Sequence, residues 1–98
     1  MNNKKIKKNA AKAEQLLKAL ANQQRLLILC NLVDGEQTAG RLWEKSSLSQ
    51  SAFSQHLAVL RRCKLVAIRK EAQTIYYSLA NHRAKKVLET LSEIYCHE

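Results

Sequence analysis

Residues 48–64 read LSQSAFSQHLAVLRRCK, and their reading decides the fold. At helical spacing Phe53, Leu57 and Leu60 fall at i, i+4 and i+7, an apolar stripe that needs a core. Ser51, Ser54, Gln55, Arg61 and Arg62 fall mostly on the other side. Ser49 stands where an N-cap belongs, its hydroxyl placed to accept from an orphan backbone amide. A solvated helix face usually carries Glu and Lys. This one carries Ser and Gln, which can reach base edges, followed by Arg, which can reach phosphate. The pattern also suits an ordinary amphipathic helix with a polar exterior, and the charge of the whole chain favours the DNA-reading alternative.

The chain has 98 residues, with 17 Lys+Arg against 8 Asp+Glu and a net charge of +9. That excess selects a polyanionic partner, nucleic acid or an anionic surface. A single domain of this size buries about 60–65% of its unfolded surface, so a second subunit would help it. No apolar run reaches the roughly 18 residues of a spanning helix. The basic N-terminus MNNKKIKKNAAKAEQ lacks the apolar core and cleavage site of a signal peptide. A cytoplasmic protein with no membrane partner is expected. Zero Pro and two Gly leave little loop, so helices should dominate.

Upstream of the reader, residues 1–8 are expected to form a short, flexible basic arm, followed by one domain over residues 9–98. The spacing of Ala13, Leu16, Leu17 and Leu20 predicts a first helix over about 9–20. Asn22 can cap a second, apolar almost all round and running to about Val33, which reads as the central buried helix. Asp34-Gly35 ends it, with Gly35 suited to a left-handed position. Thr38 starts a short helix with Leu42 and Trp43 inward, and Ser46-Ser47 turns the chain into the reader. Downstream the period changes to two. Residues 65–70 and 74–79 read as strands, with Glu71, Ala72 and Gln73 as the tip. A hairpin directly after a helix-turn-helix is a wing. Arg69 and Lys70 at its rim suit phosphate or minor-groove contact, and equally a solvated rim. A last helix over about 82–96 carries Ala84, Val87, Leu88, Leu91, Ile94 and Tyr95 on one stripe. That stripe and the first helix are expected to form an isologous homodimer interface. The fold expected is therefore mainly α with a small β-hairpin wing.

The phrases LKALANQQRLLILC, LSQSAFSQHLAVLRR and RKEAQTIYYSL resemble the ArsR/SmtB family of bacterial winged-helix transcriptional regulators, from about Ala13 to Cys96. The resemblance implies a homodimer on an inverted-repeat operator in double-stranded DNA, released when a chemical signal is sensed. It implies base contacts from Gln50, Ser51, Ser54 and Gln55. His56, partly toward the core, is expected to be a structural hydrogen-bonder.

The family's metal sensors use a Cys-x-Cys pair on the helix before the reader, and here that helix reads TAGRLWEKS. They also use Asp-x-His and His-x-x-His on the last helix. Here Ala80 and His82 stand at the first pair and Glu93 and Cys96 at the second. His82, Glu93 and Cys96 could still hold a metal, which keeps a metal-responsive repressor of the same type as an alternative, but the spacing match is weak and no metal is expected. No cofactor is expected either. The chain has no C-x-x-C pair and no Gly-rich phosphate loop, so an enzyme is not expected. A general nucleic-acid-coating protein fits the charge, but aromatics for stacking on single strands are few.

Three cysteines are an odd number, not a disulfide framework. A free Cys often only packs. The placing of Cys30 on the second helix and Cys96 at the end of the last resembles the sulfur-responsive HlyU/BigR/SqrR-like branch. That branch implies a redox-sensing pair bridged by a disulfide or polysulfide, with reactive sulfur species or an oxidant as the signal. Cys63 is expected to be incidental. Lys64 replaces a frequent Gly at the exit of the reader.

Overall fold

The computed structural model describes residues 3–95. Their element order is α1 (Asn3–Leu20), α2 (Gln23–Cys30), β1 (Gln37–Thr38), α3 (Ala39–Lys45), α4 (Gln50–Arg62), β2 (Val66–Glu71), β3 (Thr74–Leu79) and α5 (His82–Tyr95). The strands form one antiparallel sheet in the order β1-β3-β2.

Leucine dominates the core. Leu29, Leu32, Leu42, Leu60, Leu65 and Leu88 are fully buried, drawn from α2, α3, α4, α5 and the turns between them. Phe53 and Leu57 join Leu60, so the stripe predicted on the reader is buried as read. On the wing, Val66 and Tyr77 are buried and Ile68 and Ile75 half-buried, the alternation of a sheet with one face on the core.

Several boundaries differ from the expectation. The first helix begins at Asn3, not Asn9, so the segment expected as an arm is helical from Asn3 onward. Lys and Ala are strong helix formers and no Gly or Pro interrupts them. The second helix stops at Cys30, three residues early. Asn31 caps it and donates from Nδ2 to the Leu27 carbonyl. The next amides, of Leu32 and Val33, bond back three residues to Leu29 and Cys30, a tightened last turn. Gly35 follows at φ +143°, a value that side-chain-bearing residues rarely adopt. Nor is α2 buried all round: Leu27 is 52% exposed and Cys30 is exposed. Trp43 lies at the surface rather than inward, and its Nε1 donates to the Leu48 carbonyl at 2.9 Å. The third strand, β1, has no sequence signal because two residues show no periodicity. Ala84 and Leu88 of the last helix lie in the domain core, so only the rest of that stripe is left for a partner.

Candidate nucleic-acid interface

Three caps hold the helix-turn-helix. Asn22 accepts from the amides of Gln24 and Arg25, Thr38 from Arg41, and Ser49 from Ala52. Each satisfies orphan donors at a helix start. The turn between α3 and α4 is closed from both sides. The Ser46 hydroxyl donates to the Trp43 carbonyl at 2.7 Å, and the indole of Trp43 reaches across to Leu48. The sequence reading missed this bridge, although Trp43, seven residues before the start of α4 at Gln50, was its visible signal.

With its inner face fixed by Phe53, Leu57 and Leu60, α4 turns the opposite face to solvent. Gln50, Ser51, Ser54, Gln55, Arg61 and Arg62 are all exposed. Among the described residues none of these side chains has a hydrogen-bond or ion-pair partner. Their polar atoms therefore remain unspent, at helical spacing, on a rigid element. Arg61 and Arg62 occupy the last turn, where the helix dipole favours cations. His56 is half-buried and has no hydrogen-bond partner among the described residues, so the expected structural bond is not seen.

The exit from α4 is a complete Schellman motif. The Leu65 amide bonds the Leu60 carbonyl and the Lys64 amide bonds that of Arg61, each at 2.9 Å. Lys64 itself takes φ +59°, the left-handed position usually given to Gly. With Lys in place of the frequent Gly, the exit keeps the ordinary geometry. Cys63 caps the helix and is exposed.

In the wing, Val66↔Leu79 to Glu71↔Thr74 pair in continuous register, which leaves Ala72 and Gln73 as the tip. Ala72 adopts φ +54°, as the first tip residue of a type II′ turn does. The two rim cations differ. Lys70 is exposed and makes no ion pair among the described residues. Arg69 is engaged three ways. It forms two hydrogen bonds to Glu36, at 2.6 and 3.3 Å, and one to Glu71 at 2.8 Å, and its guanidinium lies 4.2 Å from the ring centre of Tyr76. The hydrogen bonds to Glu36 and Glu71 raise the Arg69 pKa, and the hydrogen bond from Arg69 lowers that of Glu36.

Of the sulfur pair, Cys30 ends α2 and is exposed, while Cys96 lies outside the described residues. Among the described residues no three His, Cys, Asp or Glu side chains cluster to hold a metal. His82 and Glu93 stand eleven residues apart on α5, about 16 Å of helical rise, and cannot share an ion on one chain. No helix among the described residues is long and apolar enough to cross a membrane.

A helix-turn-helix with a polar, unpartnered second helix and a hairpin behind it defines a class: the winged-helix DNA-binding transcriptional regulators. Residues 22–67 match the family model "Bacterial regulatory protein, arsR family". The transcriptional activator HlyU of Vibrio cholerae serotype O1 is 53% identical over 96 residues, 98% of this chain and 89% of that protein. The chain belongs to the arsR family. Solved structures share its fold. HlyU of Vibrio vulnificus CMCP6 superposes with a TM-score of 0.89 at 53% identity, covering 98% of this chain and 100% of its own. The transcriptional repressor BigR of Xylella fastidiosa superposes at 0.91 with 33% identity over both chains in full. Such regulators are not enzymes.

Proposed function

We propose that the chain is a homodimeric, sequence-specific regulator that holds an inverted-repeat operator and releases it when Cys30 and Cys96 become bridged. The observation that carries the reading is the outward face of α4. In the major groove, Gln50, Ser51, Ser54 and Gln55 would meet base edges while Arg61 and Arg62 meet phosphates. Lys70 extends the phosphate contacts from the wing. Arg69 reaches DNA only by giving up Glu36 and Glu71, so it supports the wing that presents Lys70.

A dimer through α1 and α5 is supported by apolar surface that one chain leaves open. Leu17 on α1 is 58% exposed and Ile94 on α5 is 55% exposed, with Tyr95 beside it. Two-fold symmetry would set two α4 helices one DNA turn apart. For the switch, α2 packs against α5, and Cys96 follows directly on Tyr95. A bridge between Cys30 and Cys96 would therefore tie the helix behind the reader to the proposed dimer helix. A tenfold loss of occupancy needs about 1.4 kcal/mol between the two forms.

Sequencing the genomic DNA bound by the reduced protein, before and after polysulfide treatment, tests both halves. A single palindromic motif that disappears on treatment is expected. Uniform recovery of unrelated duplexes would leave a non-specific nucleic-acid-binding protein, and an unchanged motif after treatment would remove the sulfur switch.

A further inference from the structure

A groove of about 880 Å³ runs between α1, the end of α4 and the start of α5, within the roughly 300–1,000 Å³ of small-molecule sites. Its floor is apolar, with half-buried Leu16 from α1 and Val59 from α4 and the fully buried Leu65 of the helix exit. Around that floor stand Lys12, Arg62, Lys64 and Arg83. None of these four has an ion-pair partner among the described residues, and no described carboxylate lines the groove. Two further cations at the edge are already engaged. Lys18 lies 3.6 Å from Glu14, and Arg25 donates to the carbonyls of Ala19 and Lys18.

Four like charges without partners repel one another and raise the local concentration of anions. The apolar floor between them is a second unmet demand. A duplex backbone would answer the charge but lay phosphate and sugar over Leu16 and Val59. A ligand that answers both carries an anionic head on an apolar body. We propose that the groove binds a small amphipathic carboxylate, one per chain. Arg62 belongs both to the groove and to the outward face of α4, so occupancy draws a proposed phosphate contact away from DNA. The binding itself does not depend on the operator reading; only this coupling does.

The probe is dodecanoate, titrated into the full chain below its micellar concentration and followed by calorimetry and amide NMR. Saturable binding at one per chain is expected, with shifts centred on residues 12–19 and 59–65. The double variant Lys12→Glu/Arg83→Glu, its fold checked by circular dichroism, should bind at least about tenfold more weakly, and uncharged dodecanol likewise. Absence of saturable binding overturns the proposal, as does equal affinity of the double variant or of dodecanol. If dodecanoate does not bind while the double variant lowers the salt slope of duplex binding, the groove is a track for DNA phosphates and the proposal fails. Wild-type operator binding is measured separately, so its loss would count against the operator reading alone.

Discussion

Arg69 grips Glu36 through two hydrogen bonds, Nη2 to Oε1 at 2.6 Å and Nε to Oε2 at 3.3 Å. Thirty-three residues of sequence separate the pair. The contact ties the wing to the turn that leads into β1, at the opposite edge of the sheet from β2. A planar guanidinium suits this paired geometry where a lysine would not. The cation that sequence alone offered to DNA is thereby a strut inside the wing.

Removing the strut should separate wing order from phosphate contact. Arg69→Ala is expected to speed amide exchange across β2 and β3 and to weaken operator binding with the salt slope almost unchanged. A slope falling by about one unit would instead make Arg69 a phosphate contact.

The strut also has a pH limit. The hydrogen bond from Arg69 lowers the Glu36 pKa below its ordinary value near 4.5. A depressed carboxyl contributes stability that is present above the unfolded pKa and lost as pH falls through the lower folded one. The wing should therefore be held at neutral pH and down to about pH 4.5, and should loosen below it. Amide shifts of Ile75 and Tyr76 followed by acid titration check this, and Glu36→Gln should abolish the transition.

On the reader, Gln55→Ala or Ser54→Ala should relax base preference, at a cost of about 1–3 kcal/mol if one good base contact is lost. Arg62→Ala or Lys70→Ala should weaken all duplexes alike and reduce the salt slope by about one unit. Competition of operator against random duplex at fixed salt separates the two effects. An unchanged ratio for Gln55→Ala would mean that Gln55 reads no base.

Lys64 adopts left-handed backbone at a Schellman position. Lys64→Gly removes the Cβ strain but adds freedom to the unfolded chain. The net gain should be about 0.5–1 kcal/mol, read as a shifted midpoint in urea with an unchanged m-value.

Dimerisation should fail when charge enters the open apolar surface. Leu17→Lys with Ile94→Lys changes two side chains that are both more than half exposed in one chain, so the subunit should still fold. Sedimentation is expected to give a monomer, with operator binding lost. A dimer that still binds the operator would place the interface elsewhere.

Cys30→Ser and Cys96→Ser should each stay on the operator under polysulfide, while the wild type lets go. Mass spectrometry of the treated protein should find Cys30 crosslinked to Cys96, with or without added sulfur, and Cys63 unmodified. Modification of Cys63 alone would move the chemistry to the end of the reader.

Much of this protein is determined locally and so is legible in its residues. Phe53, Leu57 and Leu60 repeat at helical spacing, and every burial choice they imply is met. Asn22, Thr38 and Ser49 each accept from amides within three residues, so a cap needs only neighbouring sequence. The strand alternation of Val66, Ile68, Ile75 and Tyr77 likewise follows from a period of two. Where those local rules stop, tertiary packing decides. Asn22 starts α2, but where α2 ends depends on the tightened turn that buries Leu32. Gln37 and Thr38 become a strand only because Tyr77 and Tyr76 lie alongside them. Ala84 and Leu88 share a stripe with Ile94, yet the first two are buried and the third is open, because α5 leaves the domain surface part-way along its length. Arg69 and Lys70 are adjacent and equally cationic, and only the fold, by bringing Glu36 to one of them, makes one a strut and leaves the other exposed without an ion pair among the described residues.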